Sequence, residues 1–78
     1  MSRDADTERW LRLLTLVEQA GGRISAAEWI RLGKVVGYDA RGLGGFFRGN
    51  EPSMTVDGDD RILTERGIAY LDEYGRKQ

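Results

Sequence analysis

The chain contains no cysteine and no histidine. The first absence excludes a disulfide framework and a thiolate zinc site, and the second removes the usual proton shuttle and imidazole metal ligand. Without histidine, no serine or threonine has the partner that activates a hydroxyl nucleophile, so no catalytic site, cofactor or metal is expected. No apolar run approaches membrane-spanning length, and Met1 to Glu8 is polar and charged, unlike a secretory leader. The glycine run Gly42-Leu43-Gly44-Gly45 lacks the spacing and the lysine of a phosphate loop. What remains is the expectation of one reduced, cytoplasmic domain over residues 1–78, with flexible ends at 1–5 and 76–78. At 78 residues it is near the lower limit for a core that holds without staples.

Net charge is also nearly absent, with 12 basic and 13 acidic residues. Its distribution is uneven. Arg23 to Gly49 holds five basic residues (Arg23, Arg31, Lys34, Arg41, Arg48) against Glu28 and Asp39, whereas Asn50 to Gln78 holds four basic and seven acidic residues. Screening confines each exposed charge to about 10 Å, so this local excess matters more for phosphate contact than the total.

Capping and breaking signals divide the chain. A first helix is expected from Asp6 or Thr7, with Trp10, Leu13, Leu14, Val17 and Ala20 on one buried stripe and Gly21-Gly22 as its stop. Leu11 and Leu16 fall off that stripe, as flanking core or as an exposed patch. Arg23-Ile24 suits the edge of a small sheet. Ser25-Ala26-Ala27-Glu28 reads as a capping box that opens a second helix to Val36. Asp39 is placed to cap a third helix, Ala40 to Arg48, in which Gly42, Gly44 and Gly45 each cost roughly 1 kcal/mol relative to alanine. Leu43, Phe46 and Phe47 must therefore hold it through tertiary contacts. Ser53 to Val56 and Arg61 to Leu63 are strand-like around the Asp57-Gly58-Asp59-Asp60 turn, and Thr64 caps a last helix, Glu65 to Tyr74. The expected core is Trp10, Leu13, Leu14, Val17, Ile30, Val36, Leu43, Phe46, Ile62, Ile68 and Leu71.

The run Leu32 to Phe47, L-G-K-V-V-G-Y-D-A-R-G-L-G-G-F-F, has the spacing of a helix-turn-helix. Gly33 stands where two helices cross closely, Gly37 where the chain turns, and Leu43 where a second helix first turns inward. With the following hairpin, and with L-T-E-R-G-I-A-Y-L (Leu63 to Leu71) passing from a strand into a closing helix, the chain resembles the bacterial-type winged helix-turn-helix superfamily. The resemblance implies an α+β, mostly α fold: a three-helix core, a β-hairpin wing and a C-terminal helix.

It also implies duplex DNA as partner and transcriptional or accessory regulation as role, with location at the nucleoid. In such domains the second helix of the motif enters the major groove with its early outward side chains. Those positions here are Asp39, Ala40, Arg41, Gly44, Gly45 and Arg48. Arg41 and Arg48 suit guanine or phosphate, Ala40 and Gly44 allow close approach, and Asp39 reads as a cap. Lys34, Arg31 and the helix start at Ser25 are placed to grip phosphates. The tip D-G-D-D departs from DNA-binding wings, which usually carry lysine or arginine there. The acidic wing, the glycine-rich third helix and exposed Leu11, Leu16 or Met54 also fit an alternative, a winged helix that docks a protein partner or a second copy and leaves DNA alone.

Overall fold

The computed structural model describes residues 5–75. Helix α1 (Ala5–Gln19) buries Leu11, Leu13, Leu14 and Val17, with Trp10 and Leu16 partly covered beside them. Leu11 is thus core and not an exposed patch. Asp6 and Thr7 lie inside the helix, so neither is its cap; Asp6 instead accepts from Arg9 Nη2 at 2.7 Å. Of the two expected flexible ends, Ala5 belongs to α1, and 1–4 and 76–78 lie outside the described residues.

Strand β1 (Arg23–Ser25) leads directly into α2 (Ala26–Val36), whose N-cap Ser25 accepts from the Glu28 amide at 3.1 Å. Gly37 ends α2 at φ 108, a left-handed conformation that side-chain-bearing residues rarely adopt. Its amide and that of Tyr38 both return to the Gly33 carbonyl. Asp39 then caps α3 (Ala40–Leu43) by accepting from the Gly42 amide at 2.9 Å.

The third helix is shorter than its sequence suggests. After Leu43 the chain tightens into a 3-10 turn over Gly44–Phe47, and Arg48 is already extended. Two adjacent glycines weaken the α-helical ladder, while burial of Phe46 draws the chain inward. Phe46 is fully buried, stacked on Trp10 with centroids 3.7 Å apart and met edge-on by Trp29 at 5.1 Å and Tyr38 at 5.5 Å. Burying such a ring contributes about 1.5–3 kcal/mol, which offsets much of the glycine cost. Leu43 crosses α2 at Gly33, where a Cβ would stand 2.7 Å from its Cδ2.

Strands β2 (Met54–Asp57) and β3 (Asp60–Leu63) form the hairpin around Gly58, whose φ of 61 suits the first central position of a tight hairpin turn. β3 lies between its neighbours in an antiparallel sheet ordered β1-β3-β2. Thr64 caps α4 (Glu65–Tyr70), which widens into a π-type turn over Leu71–Gly75 in place of the expected regular helix to Tyr74.

The core departs from expectation within pairs of neighbours. Trp29 is buried and Ile30 is 45% exposed; Leu63 is buried and Ile62 only half-buried; Gly67 is buried and Ile68 is 39% exposed. In the last two pairs the inward position is the neighbour of the one expected, and in the first Trp29 and Ile30 were both expected on the apolar face of the second helix but only Trp29 is inside. Met54, expected as exposed, is fully buried, and Leu32 and Ile24 join the core. In β3 the register decides the outcome. Leu63 opposes Met54 on the inner face, so Ile62, between Arg23 and Thr55, must face out.

Candidate nucleic-acid interface

The inner face of the sheet does not stop at the core. Ile24, Arg61 and Val56 are directly opposed across the three strands, and Arg61 and Val56 stand two residues from Leu63 and Met54 toward the tip. They therefore extend the inner face beyond the core. The outer face carries Arg23, Asp60 and Asp57. Asp57 and Asp60 oppose each other in the ladder, a like-charge pairing that destabilises a hairpin. Arg23 relieves it by donating to Asp60 Oδ2 at 2.5 Å and to Asp57 Oδ2 at 3.1 Å. Two of the three tip carboxylates are thus paired and turned away from α3. Arg61 Nη1 donates to the carbonyls of Gly58 and Asp60, which aims its guanidinium along the turn.

Arg61 shares a groove of about 230 Å³ with Ala40 and Gly44 of the α3 segment. Trp29 and Leu43 lie at its base, and Ile30 and Phe47 also line it. A Cβ at Gly44 would lie 3.3 Å from Arg48 Nη2, so the Arg48 guanidinium stands beside this glycine. Arg41, Arg48 and Lys34 are exposed, and no ion pair engages them among the described residues.

Other expected site residues are otherwise occupied. Arg31 forks onto Glu28, with Nε donating to Oε1 at 2.8 Å. These hydrogen bonds hold the Glu28 carboxyl below its ordinary value and raise Arg31. Arg31 is therefore not a free phosphate ligand, and the Glu28 carboxylate is spent on it, so only the serine half of the capping box is made. The helix start at Ser25 is also closed: the Glu28 amide goes to the serine hydroxyl and the Ala26 amide to the Asp59 carbonyl at 2.8 Å. Gly45 faces inward, its Cβ position 3.7 Å from Trp10, and offers no surface to a base.

Ala40 and Gly44 thus share one groove with Arg61, Ile30 and Phe47, Arg48 stands beside Gly44, and Arg41 and Lys34 are exposed on α3 and α2. Alternation along β3 was the available signal for Arg61, because a residue two before a buried leucine shares its face. A larger cleft of about 610 Å³ lies between residues 51–55 and α4, but it sets Glu51 and Glu65 against Arg66 and contains none of the expected residues. No helix among the described residues is long and apolar enough to cross a membrane. No family model, curated protein or solved structure matches this chain.

Proposed function

We propose that this chain is a winged helix that binds duplex DNA through the α3 segment and the inner face of its hairpin, as a transcriptional or accessory regulator. The observation that carries the reading is the strand register. Asp57 and Asp60 sit on the outer face with Arg23, and Arg61 sits on the inner face beside Ala40 and Gly44. Two of the three carboxylates that argue against a DNA-facing wing are thereby removed from the surface that would approach phosphate. Arg41, Arg48, Arg61 and Lys34 supply the cations.

Fluorescence anisotropy with a random duplex at two salt concentrations tests this. Four phosphate contacts imply a log–log salt slope of about −3 to −4. Arg41→Glu and Arg48→Glu should nearly abolish binding, whereas neutralising Asp57, Asp59 and Asp60 to asparagine should leave it unchanged or tighter. The competing reading is a protein-docking module, favoured by Ile30 at 45% and Val56 at 54% exposure on the same side. Absence of any duplex binding at low salt would select it.

A further inference from the structure

The α3 segment that would enter a major groove is A-R-G-L-G-G-F-F, in which Arg41 is the sole polar side chain. It carries no asparagine or glutamine to bond adenine in the bidentate way and no acid to accept from cytosine. Ala40 and Gly44 line the open groove with Ile30 and Phe47 as apolar walls; Arg61 also lines it, and the Arg48 guanidinium stands beside Gly44. In the major groove the one apolar feature that distinguishes a base pair is a pyrimidine 5-methyl group.

Resting on the DNA-binding reading, we propose that this groove receives pyrimidine 5-methyl groups, so that the domain prefers duplexes whose major groove is methyl-bearing at the contacted step. Guanidiniums at the rim neutralise the flanking phosphates or guanine edges while the methyl leaves water. The glycine at position 44 is then a specificity determinant, because any longer side chain fills the space that the methyl takes.

The test compares alternating dA–dT duplexes with the same duplexes carrying deoxyuridine, which removes the methyl and nothing else. A parallel pair carries cytosine or 5-methylcytosine. Wild-type protein should bind the methylated member about fourfold more tightly per methyl buried, the ratio that follows from the transfer free energy of one carbon. A preference in the thymine pair alone assigns thymine as the source, and a preference in both assigns the methyl itself. Gly44→Leu should erase the preference, and Ile30→Ser, which opens a wall, should reduce it. Thermal melts confirm that each variant is folded. Equal affinity of wild type for both members of each pair overturns the inference and leaves the DNA reading standing. So does a preference that survives in Gly44→Leu. Failure to bind any duplex at low salt overturns both.

Discussion

Gly67→Ala should destabilise the domain, although the same change in an open helix stabilises. Gly67 lies within α4, where alanine ordinarily gains about 1 kcal/mol over glycine. A Cβ at this position would lie 2.4 Å from the Ser53 carbonyl oxygen and 2.7 Å from Leu63 Cδ1, whereas ordinary contacts begin at 3.4 Å. The leucine tip can swing, but the carbonyl is backbone and is held. It accepts from the Thr64 amide at 3.0 Å, while the Thr64 hydroxyl donates to Pro52 O at 2.6 Å and accepts from the Gly67 amide at 3.0 Å. The next residue along, Met54, is fully buried. Forcing α4 away from this clamp costs about 1–3 kcal/mol as overpacking and about 1 kcal/mol more if the Thr64 amide bond is lost. After the helix gain is subtracted, roughly 1–3 kcal/mol of destabilisation remains, or a fall in Tm of roughly 5–20 °C. Gly45→Ala is the matched comparison, since its Cβ would make only an ordinary 3.7 Å contact with Trp10. It should raise stability by about 0.5–1 kcal/mol. Thermal and urea melts of the two variants decide the matter; a Gly67→Ala protein that melts at or above wild type refutes the close approach of α4 to Ser53.

Gly33→Leu must displace Leu43 and should lower stability by about 1–3 kcal/mol, and Gly37→Val should also destabilise because of the left-handed backbone at φ 108; unchanged midpoints in both variants would show that α2 and α3 do not cross there. Phe46→Ala removes the ring shared by Trp10, Trp29 and Tyr38 and should cost about 3–5 kcal/mol, most of the stability of a domain this small, so far-UV circular dichroism should show a largely unfolded chain at 37 °C. The Glu28 carboxyl should titrate below 4.5 by NMR and return to its ordinary value in Arg31→Met. A depressed acid adds stability above its unfolded value and loses it as pH falls through the folded one. Stability curves of wild type and Arg31→Met should therefore separate above about pH 4.5 and converge at lower pH; curves that stay parallel throughout would rule out the pair as the source of the shift.

Local signals were legible and non-local ones were not. Ser25, Asp39 and Thr64 cap helices where their side chains predict it, because a cap is a bond between near neighbours. Gly33, Gly37 and Leu43 behave as the turn spacing requires. The errors at Ile30 and Ile62 concern phase, since each is an apolar residue beside another and only the packing of a distant element selects between them; Ile68 is displaced because Gly67 takes the inward place against the Ser53 carbonyl. Leu11 is buried where the turn Leu71–Gly75 packs on α1; a Cβ on Gly75 would lie 3.5 Å from Leu11 Cδ2, a contact that no period within α1 encodes. At the candidate site, the exposed cations and the small residues of α3 were readable directly. The Arg23 bridge to Asp57 and Asp60 joins residues 34 and 37 positions apart, and from sequence alone those carboxylates counted as free.

The bond from the Ala26 amide to the Asp59 carbonyl joins the hairpin tip to the first residue of α2. The hairpin is also the centre and one edge of a sheet whose other edge runs straight into that helix. Tip, sheet and α2 therefore form a closed frame, and the gap between the hairpin and α3 behaves like the fixed jaws of a caliper. A hinged arm adapts to whatever it grips, and pays in lost freedom each time it closes. Fixed jaws accept one width, so under the proposed DNA reading an ill-matched groove would itself have to deform to be held, and the energy of that deformation would tell one partner from another.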